Sequence, residues 1–263
     1  MKSFQCARSP RTGNERRREI AGGDDTSGSI PTLRRDDSDR CGNKHNDQEA
    51  VVSFARYRRG WARHGTHETV LRLVPDGMKV LDVGCSTGYL GASLAERSCR
   101  VWGLDRDPAA VACLPSCYED SRACDLDEIM AVPWPDMSFD VAIAADVLEH
   151  LRDPSRALAV LRRALKPNGL LVVSLPNVAH LSVRMRLLIG RFDYTETGLL
   201  DKTHLRFFTF STATDLVRAA GFRLERVVAS SDRFGYALNR FSSAGRFGRG
   251  LLGYGIVIAA RAP

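Results

Sequence analysis

Between Lys79 and Leu175 the chain alternates short apolar runs with helical stretches, and this rhythm constrains the fold more than any other feature. Lys79–Val83, Arg100–Leu104, Phe139–Ala145 and Gly169–Leu175 read as strands. Tyr89–Arg97, Pro108–Leu114 and Pro154–Leu165 read as the helices between them. A helix over His67–Val74 precedes the series and stops at Pro75-Asp76-Gly77, and Pro167-Asn168-Gly169 predicts a turn. Ser211–Ala220 (helix), Phe222–Ala229 and Gly255–Ala260 (strands) follow. Strands separated by helices at this spacing form βαβ units and a mostly parallel, doubly wound sheet. Their near-continuous apolar character fits a sheet covered on both faces.

Composition sets the limits of that domain. Of 263 residues, 44% are hydrophobic and 26% charged, which excludes a wholly disordered or collagen-like chain. The segment 1–46 is polar and dense in Arg, Asp, Ser and Gly, and it is expected to be a disordered basic tail before a domain spanning 47–263. No apolar run approaches the roughly 20 residues that a membrane span needs, and the opening residues lack the apolar core of a secretory signal. A cytoplasmic protein without membrane insertion is therefore expected. The seven cysteines form no Cys-x-x-Cys pair and are expected to be reduced thiols. The net charge of +7 permits a polyanionic partner without naming one. Arg233–Arg249 is Arg-rich, but no stacking platform or RNA-binding module accompanies it, so it reads as a solvated loop and nucleic acid is not expected as a partner.

The chemistry concentrates in Val80-Leu81-Asp82-Val83-Gly84-Cys85-Ser86-Thr87-Gly88-Tyr89. Gly84 and Gly88 fall at a strand-to-helix turn, where the missing Cβ lets backbone approach a ligand. The next helix turns its N–H groups into the crevice. Asp105 ends the second strand, where a carboxylate can accept both hydroxyls of a ribose. The Asp-x-Gly-x-x-x-Gly spacing is not the dinucleotide Gly-x-Gly-x-x-Gly pattern, which disfavours an NAD(P) dehydrogenase.

With Asp125-Leu126, the run Pro133–Asp140 and Asp146-Val147-Leu148-Glu149-His150-Leu151 in the same order, the chain resembles the class I S-adenosylmethionine (SAM)-dependent methyltransferases. The resemblance covers roughly Leu71–Arg261 and touches the ubiquinone-type and glycan- or secondary-metabolite-associated small-molecule enzymes. It implies a Rossmann-like, doubly wound, mostly parallel seven-stranded sheet with an antiparallel last strand. It also implies that Asp82, Gly84, Cys85, Ser86 and Gly88 surround the methionine end of SAM. Asp105 would take the ribose, with Arg106, Asp125 and Leu126 around the adenine, and Ala145 and Asp146 would lie beneath the sulfonium. In ubiquinone-type enzymes a similar acidic-x-x-Glu-His element binds a divalent metal, so Asp146, Glu149 and His150 are a possible remnant; no metal ligand set is assigned.

About residues 176–209 interrupt the rhythm after a strand's carboxyl end and read as a lid or acceptor-recognition insert. Its sequence resembles a methyltransferase subgroup acting on sugar-like or other hydroxylated small molecules. His204, His180 and His150 are the candidate bases, and Tyr194, Arg206 and Arg191 the candidate acceptor contacts. The expected reaction is methyl transfer from SAM to a hydroxyl oxygen of a small molecule. An N-methyltransferase or a non-catalytic SAM-binding accessory protein remain open, as does the oligomeric state.

Overall fold

The computed structural model describes Ala7–Arg8 and residues 65–230 and 250–263. The remainder of the expected tail and the segment Arg233–Arg249 lie outside the described residues. In chain order the elements are β1 (Ala7–Arg8), α1 (Thr66–Leu73), β2 (Lys79–Val83), α2 (Tyr89–Ala95), β3 (Arg100–Asp105), α3 (Pro108–Ala112), β4 (Tyr118–Ala123) and β5 (Phe139–Ala145). After a 3-10 turn at Leu148–His150 come α4 (Pro154–Ala164), β6 (Leu165–Pro176), α5 (Leu181–Leu188), α6 (Phe210–Ala219), β7 (Arg223–Ser230) and β8 (Gly255–Arg261).

The sheet runs β1-β4-β3-β2-β5-β6-β8-β7. The pairs β4–β3–β2–β5–β6 are parallel, and β8 inserts antiparallel between β6 and β7. Seven strands thus make the expected Rossmann-like sheet, and two-residue β1 adds an antiparallel contact at the β4 edge. The chain starts outward from β2 toward β4 and then returns to β5 on the other side of β2. That reversal opens a crevice at the carboxyl ends of β2 and β5, where open α/β sheets bind ligands.

Alternation along the strands divides the core. In β5, Phe139, Ala142 and Ala144 face the layer of α4 and α6, while Val141, Ile143 and Ala145 face that of α1 and α2. Each fully buried leucine or isoleucine, such as Leu81, Leu171 or Ile256, contributes roughly 1.5–3 kcal/mol relative to exposure. Helix starts follow the local chemistry: Asp107 and Asp153 accept backbone N–H bonds as N-caps before Pro108 and Pro154. Thr209 and Thr212 close a capping box on α6.

Three local features differ from the reading by pattern. The strand β4, Tyr-Glu-Asp-Ser-Arg-Ala, has no apolar periodicity; its parallel pairing with β3 makes it a strand. The expected turn at Pro167–Gly169 is an excursion within β6, where Phe139 opposes Leu165 and Val141 opposes Leu170, with Asn168 left-handed at φ 59°. Cys85, Cys99 and Cys117 are free thiols as expected, but Cys113 and Cys124 each take part in a disulfide. Among the described residues no helix is long and apolar enough to cross a membrane.

Candidate active site

The strand ends converge on a cavity of about 290 Å³. Gly84 and Ser86 line it after β2, Asp105 and Arg106 after β3, Asp125, Leu126 and Asp127 after β4, and Asp146, Val147 and His150 after β5. The insert adds Thr203.

Backbone geometry explains the glycines. Gly84 has φ 68° and Gly88 φ 81°, the left-handed region that L side chains rarely adopt. A Cβ at Gly84 would collide with Val147 Cγ2, and one at Gly88 would lie 2.5 Å from Pro115 Cδ. Gly84 N–H donates to the Leu104 carbonyl at 2.7 Å, and Gly88 N–H to that of Cys85 at 2.8 Å, so the loop is folded tightly over β3. Cys85 is buried beneath the loop, where desolvation pushes its thiol far up, so it is an inert filler.

Asp105 ties the loop to the next strand. One carboxylate oxygen accepts Ser86 N–H at 2.8 Å and the other Asp107 N–H at 2.9 Å. A carboxylate has about four lone-pair sites, so two protein bonds leave acceptors for a diol. Asp105→Ala is expected to weaken SAM binding by roughly 10–100-fold, the net loss of about one bond to a charged group; unchanged affinity in titration calorimetry would remove Asp105 from the site. In the neighbouring turn Asp125 accepts Asp127 N–H at 2.9 Å, which fixes the loop holding Leu126.

Asp82 lies deeper than its expected role. It is 1% exposed, is absent from the cavity wall, and accepts the Tyr118 hydroxyl at 2.6 Å. Burial, aided by the nearby Asp105 charge, raises its pKa to about 7 against the opposing Tyr118 bond. Ala145 ends β5 as a buried residue, and Asp146 follows in a left-handed conformation at φ 53°. Asp146 N–H donates to Ser174, the Ser174 hydroxyl returns a 2.7 Å bond to its carboxylate, and His67 Nε2 lies 3.5 Å away. Burial acts to raise the Asp146 pKa, but the bonds from His67 and Ser174 outweigh it and hold it low. The side chain remains 42% exposed within the cleft.

On the acceptor side, His150 Nδ1 lies 3.2 Å from the Thr203 carbonyl oxygen. A carbonyl only accepts, so Nδ1 carries the proton and Nε2 is left as a base. The His204 ring packs edge-on at 4.9 Å from that of His150. Burial, with His150 close by, lowers the pKa of His204. Behind both lies Glu149, fully buried, with neither carboxylate oxygen hydrogen-bonded among the described residues, while its own carbonyl accepts Leu205 and Arg206 N–H and so docks the insert. Burial first, then the Asp146 charge, drives the Glu149 pKa well above the carboxylate range. One ligand atom each from Glu149, His150 and His204 lies within 4.8 Å of the others, a spacing that a divalent ion can bridge.

Four expected contacts stand apart from the cavity. His180 caps α5, its Nδ1 accepting Ser182 N–H at 3.3 Å, with its ring against Tyr254. Arg191 pairs with Asp193, Arg206 donates to the Arg152 carbonyl, and Tyr194 is 59% exposed beside Phe192. Sequence reading passed over Val147, Thr203, Tyr118, Ser174 and His67. Thr203 and Val147 were within reach as the neighbours of His204 and Asp146; Tyr118, Ser174 and His67 contact the site across 28 or more residues of chain, which no local pattern encodes.

A profile described as a methyltransferase domain matches residues 54–227. The chain belongs to that family. A probable SAM-dependent methyltransferase of Mycolicibacterium smegmatis is 35% identical over 170 residues, covering 63% of this chain and 60% of that protein. A ubiquinone biosynthesis O-methyltransferase of Pasteurella multocida is 33% identical over 158 residues, covering 50% of this chain and 65% of that protein. The chain thus spans less than two thirds of the length of these relatives. A possible histamine N-methyltransferase of Thermotoga maritima superposes with a TM-score of 0.58 at 19% identity, covering 83% and 99% of the two chains. A SAM-dependent methyltransferase of Mesorhizobium loti gives 0.53 at 20% identity, covering 74% and 96%. Both structures share the fold. The domain is that of a class I SAM-dependent methyltransferase.

Proposed function

We propose that the protein transfers the methyl group of SAM to a hydroxyl oxygen of a small, sugar-like or secondary-metabolite acceptor. The observation that carries this reading is the position of His150 on the wall of the cavity that Gly84, Ser86 and Asp105 also line, with its Nδ1 turned to the Thr203 carbonyl. SAM supplies an electrophilic methyl on sulfur, and its transfer is an in-line displacement. The chain's own work is to hold the acceptor in line and to remove its proton. Positioning in a well-oriented site is worth about 7–11 kcal/mol of barrier. An alkyl hydroxyl also needs a base, which contributes roughly 10²–10⁴-fold. Here His150 Nε2 takes that proton, Thr203 holds the ring through its carbonyl, and His204 packs edge-on against it. His150→Ala is expected to reduce turnover about 10²–10⁴-fold while leaving SAM affinity within about twofold. Turnover that survives the substitution would remove the base and favour an amine acceptor, which needs only alignment.

A second reading is favoured by the two unpartnered oxygens of buried Glu149 and the unpartnered Nδ1 of His204. Such orphaned groups suit a divalent ion, and Glu149, His150 and His204 are the residues that would hold it. Asp146, the acidic member expected from the ubiquinone-type resemblance, is engaged by Ser174 and His67 instead. The ion would supply Lewis-acid lowering of the acceptor hydroxyl pKa. The two readings separate on chelation. Loss of turnover by more than about tenfold with EDTA, restored by Mg²⁺ or Zn²⁺, selects the ion, and unchanged turnover selects the His150 base.

A further inference from the structure

We propose that α5 is a docking face for an anionic lipid bilayer surface, on which the protein lies without spanning it. The exposed large apolar side chains gather here: Leu181, Met185, Leu188 and Ile189 are 40%, 53%, 77% and 70% exposed, and Leu187, away from them on the helix, is 50% exposed. At 100° per residue these four fall within one arc of about 100° on the helix. Val183, on the opposite side, is buried against the small cluster of Leu199 and Leu200. The helix is therefore held to the insert by its inner face, and its crest points to solvent. Phe192 and Tyr194, also exposed, continue the apolar surface beyond its end.

Charge decides what covers this face. Arg184 and Arg186 lie on opposite flanks of the crest, while Arg191, beyond it, is paired with Asp193. Residues 177–192 contain no Asp or Glu. Arg184 donates to the Ala179 carbonyl, and neither Arg184 nor Arg186 has a carboxylate partner among the described residues. A narrow, convex apolar crest between arginines matches the boundary of acyl chains and anionic headgroups: the apolar groups enter, and the arginine stems lie along the interface with their charges outward. A protein partner would instead have to present an acidic apolar groove. The insert that carries α5 also supplies Thr203 to the cavity wall, so docking links the acceptor side of the cleft to the lipid surface.

The test is flotation of the full chain with phosphatidylcholine vesicles containing about 30% phosphatidylglycerol, and with phosphatidylcholine alone. Wild type is expected to float with the anionic vesicles, less so at high salt. Leu188→Ser with Ile189→Ser should lower the partition coefficient at least about tenfold. Arg184→Gln with Arg186→Gln should lower it roughly fivefold per arginine. All these side chains are exposed, and unchanged SAM binding in calorimetry verifies that the variants are folded. Failure of wild type to bind either vesicle overturns the proposal. Binding that both double variants retain also overturns it, because the remaining positive charge of the chain would then account for the interaction. So does a wild-type dimer that the Leu188→Ser, Ile189→Ser variant dissociates, which would make the crest a contact between two copies.

Discussion

Gly84→Arg is expected to abolish SAM binding in titration calorimetry, with at least about a hundredfold loss of affinity, while the protein remains folded. Two independent effects act at this residue. Its φ of 68° costs an L side chain roughly 1–2 kcal/mol, and the new Cβ collides with Val147 Cγ2. Val147 can turn aside, because the colliding atom is the end of a side chain on the cavity rim. The remaining arginine atoms then have only the cavity to enter, which is about 290 Å³ in all. Gly84→Ala separates the two effects: it carries the strain and the Val147 contact without filling the cleft, and it should retain measurable binding. A Gly84→Arg protein that bound SAM like wild type would mean the donor binds elsewhere.

Gly91→Ala is expected to act on stability, lowering Tm by roughly 5–20 °C. A Cβ on this α2 residue would overlap the Tyr118 hydroxyl and ring. Tyr118 must then move, and its bond to the buried Asp82 carboxyl is lost. Overpacking costs about 1–3 kcal/mol and a buried polar group left unpaired about 1–3 more. In a domain of this size each kcal/mol is worth about 2–4 °C. The deficit should also depend on pH. Asp82 titrates near 7 when folded and near 3.8 when unfolded, so folding retains its proton and stability falls as pH climbs through that window. Tyr118 favours the charged carboxylate, so without its bond the pKa rises further and the penalty above pH 7 grows. Gly91→Ala should therefore be more destabilising at pH 8 than at pH 5. In a Tyr118→Leu background the added methyl finds room and the penalty should shrink; equal penalties in both backgrounds would disconnect Gly91 from Tyr118.

Periodicity and short-range spacing made part of this protein legible without coordinates. The strands β2, β3, β5 and β8 are near-continuous apolar runs, and burial on both faces leaves that signal in the sequence. The turn from Asp82 to Gly88 is equally local, because a left-handed backbone demands glycine at fixed offsets. Asp105 was readable from its place at a strand end. Polar β4 was not, because its strand character comes from pairing with β3 rather than from its own pattern.

The sequence by itself determined the alternating sheet, the glycine loop after β2 and the list of histidines from which the proposed base is drawn. Tertiary structure alone separated those histidines. His180 caps α5 through Nδ1, away from the cavity wall, whereas the backbone of Glu149, by accepting Leu205 and Arg206, brings Thr203 and His204 across more than 50 residues to stand beside His150. It also gave Asp82 to Tyr118 rather than to the cavity wall and turned the apolar side of α5 outward. The reason is physical: φ preference and apolar period are written within a few residues, but burial, electrostatic shift and the sharing of a cavity are properties of neighbours that only folding brings together.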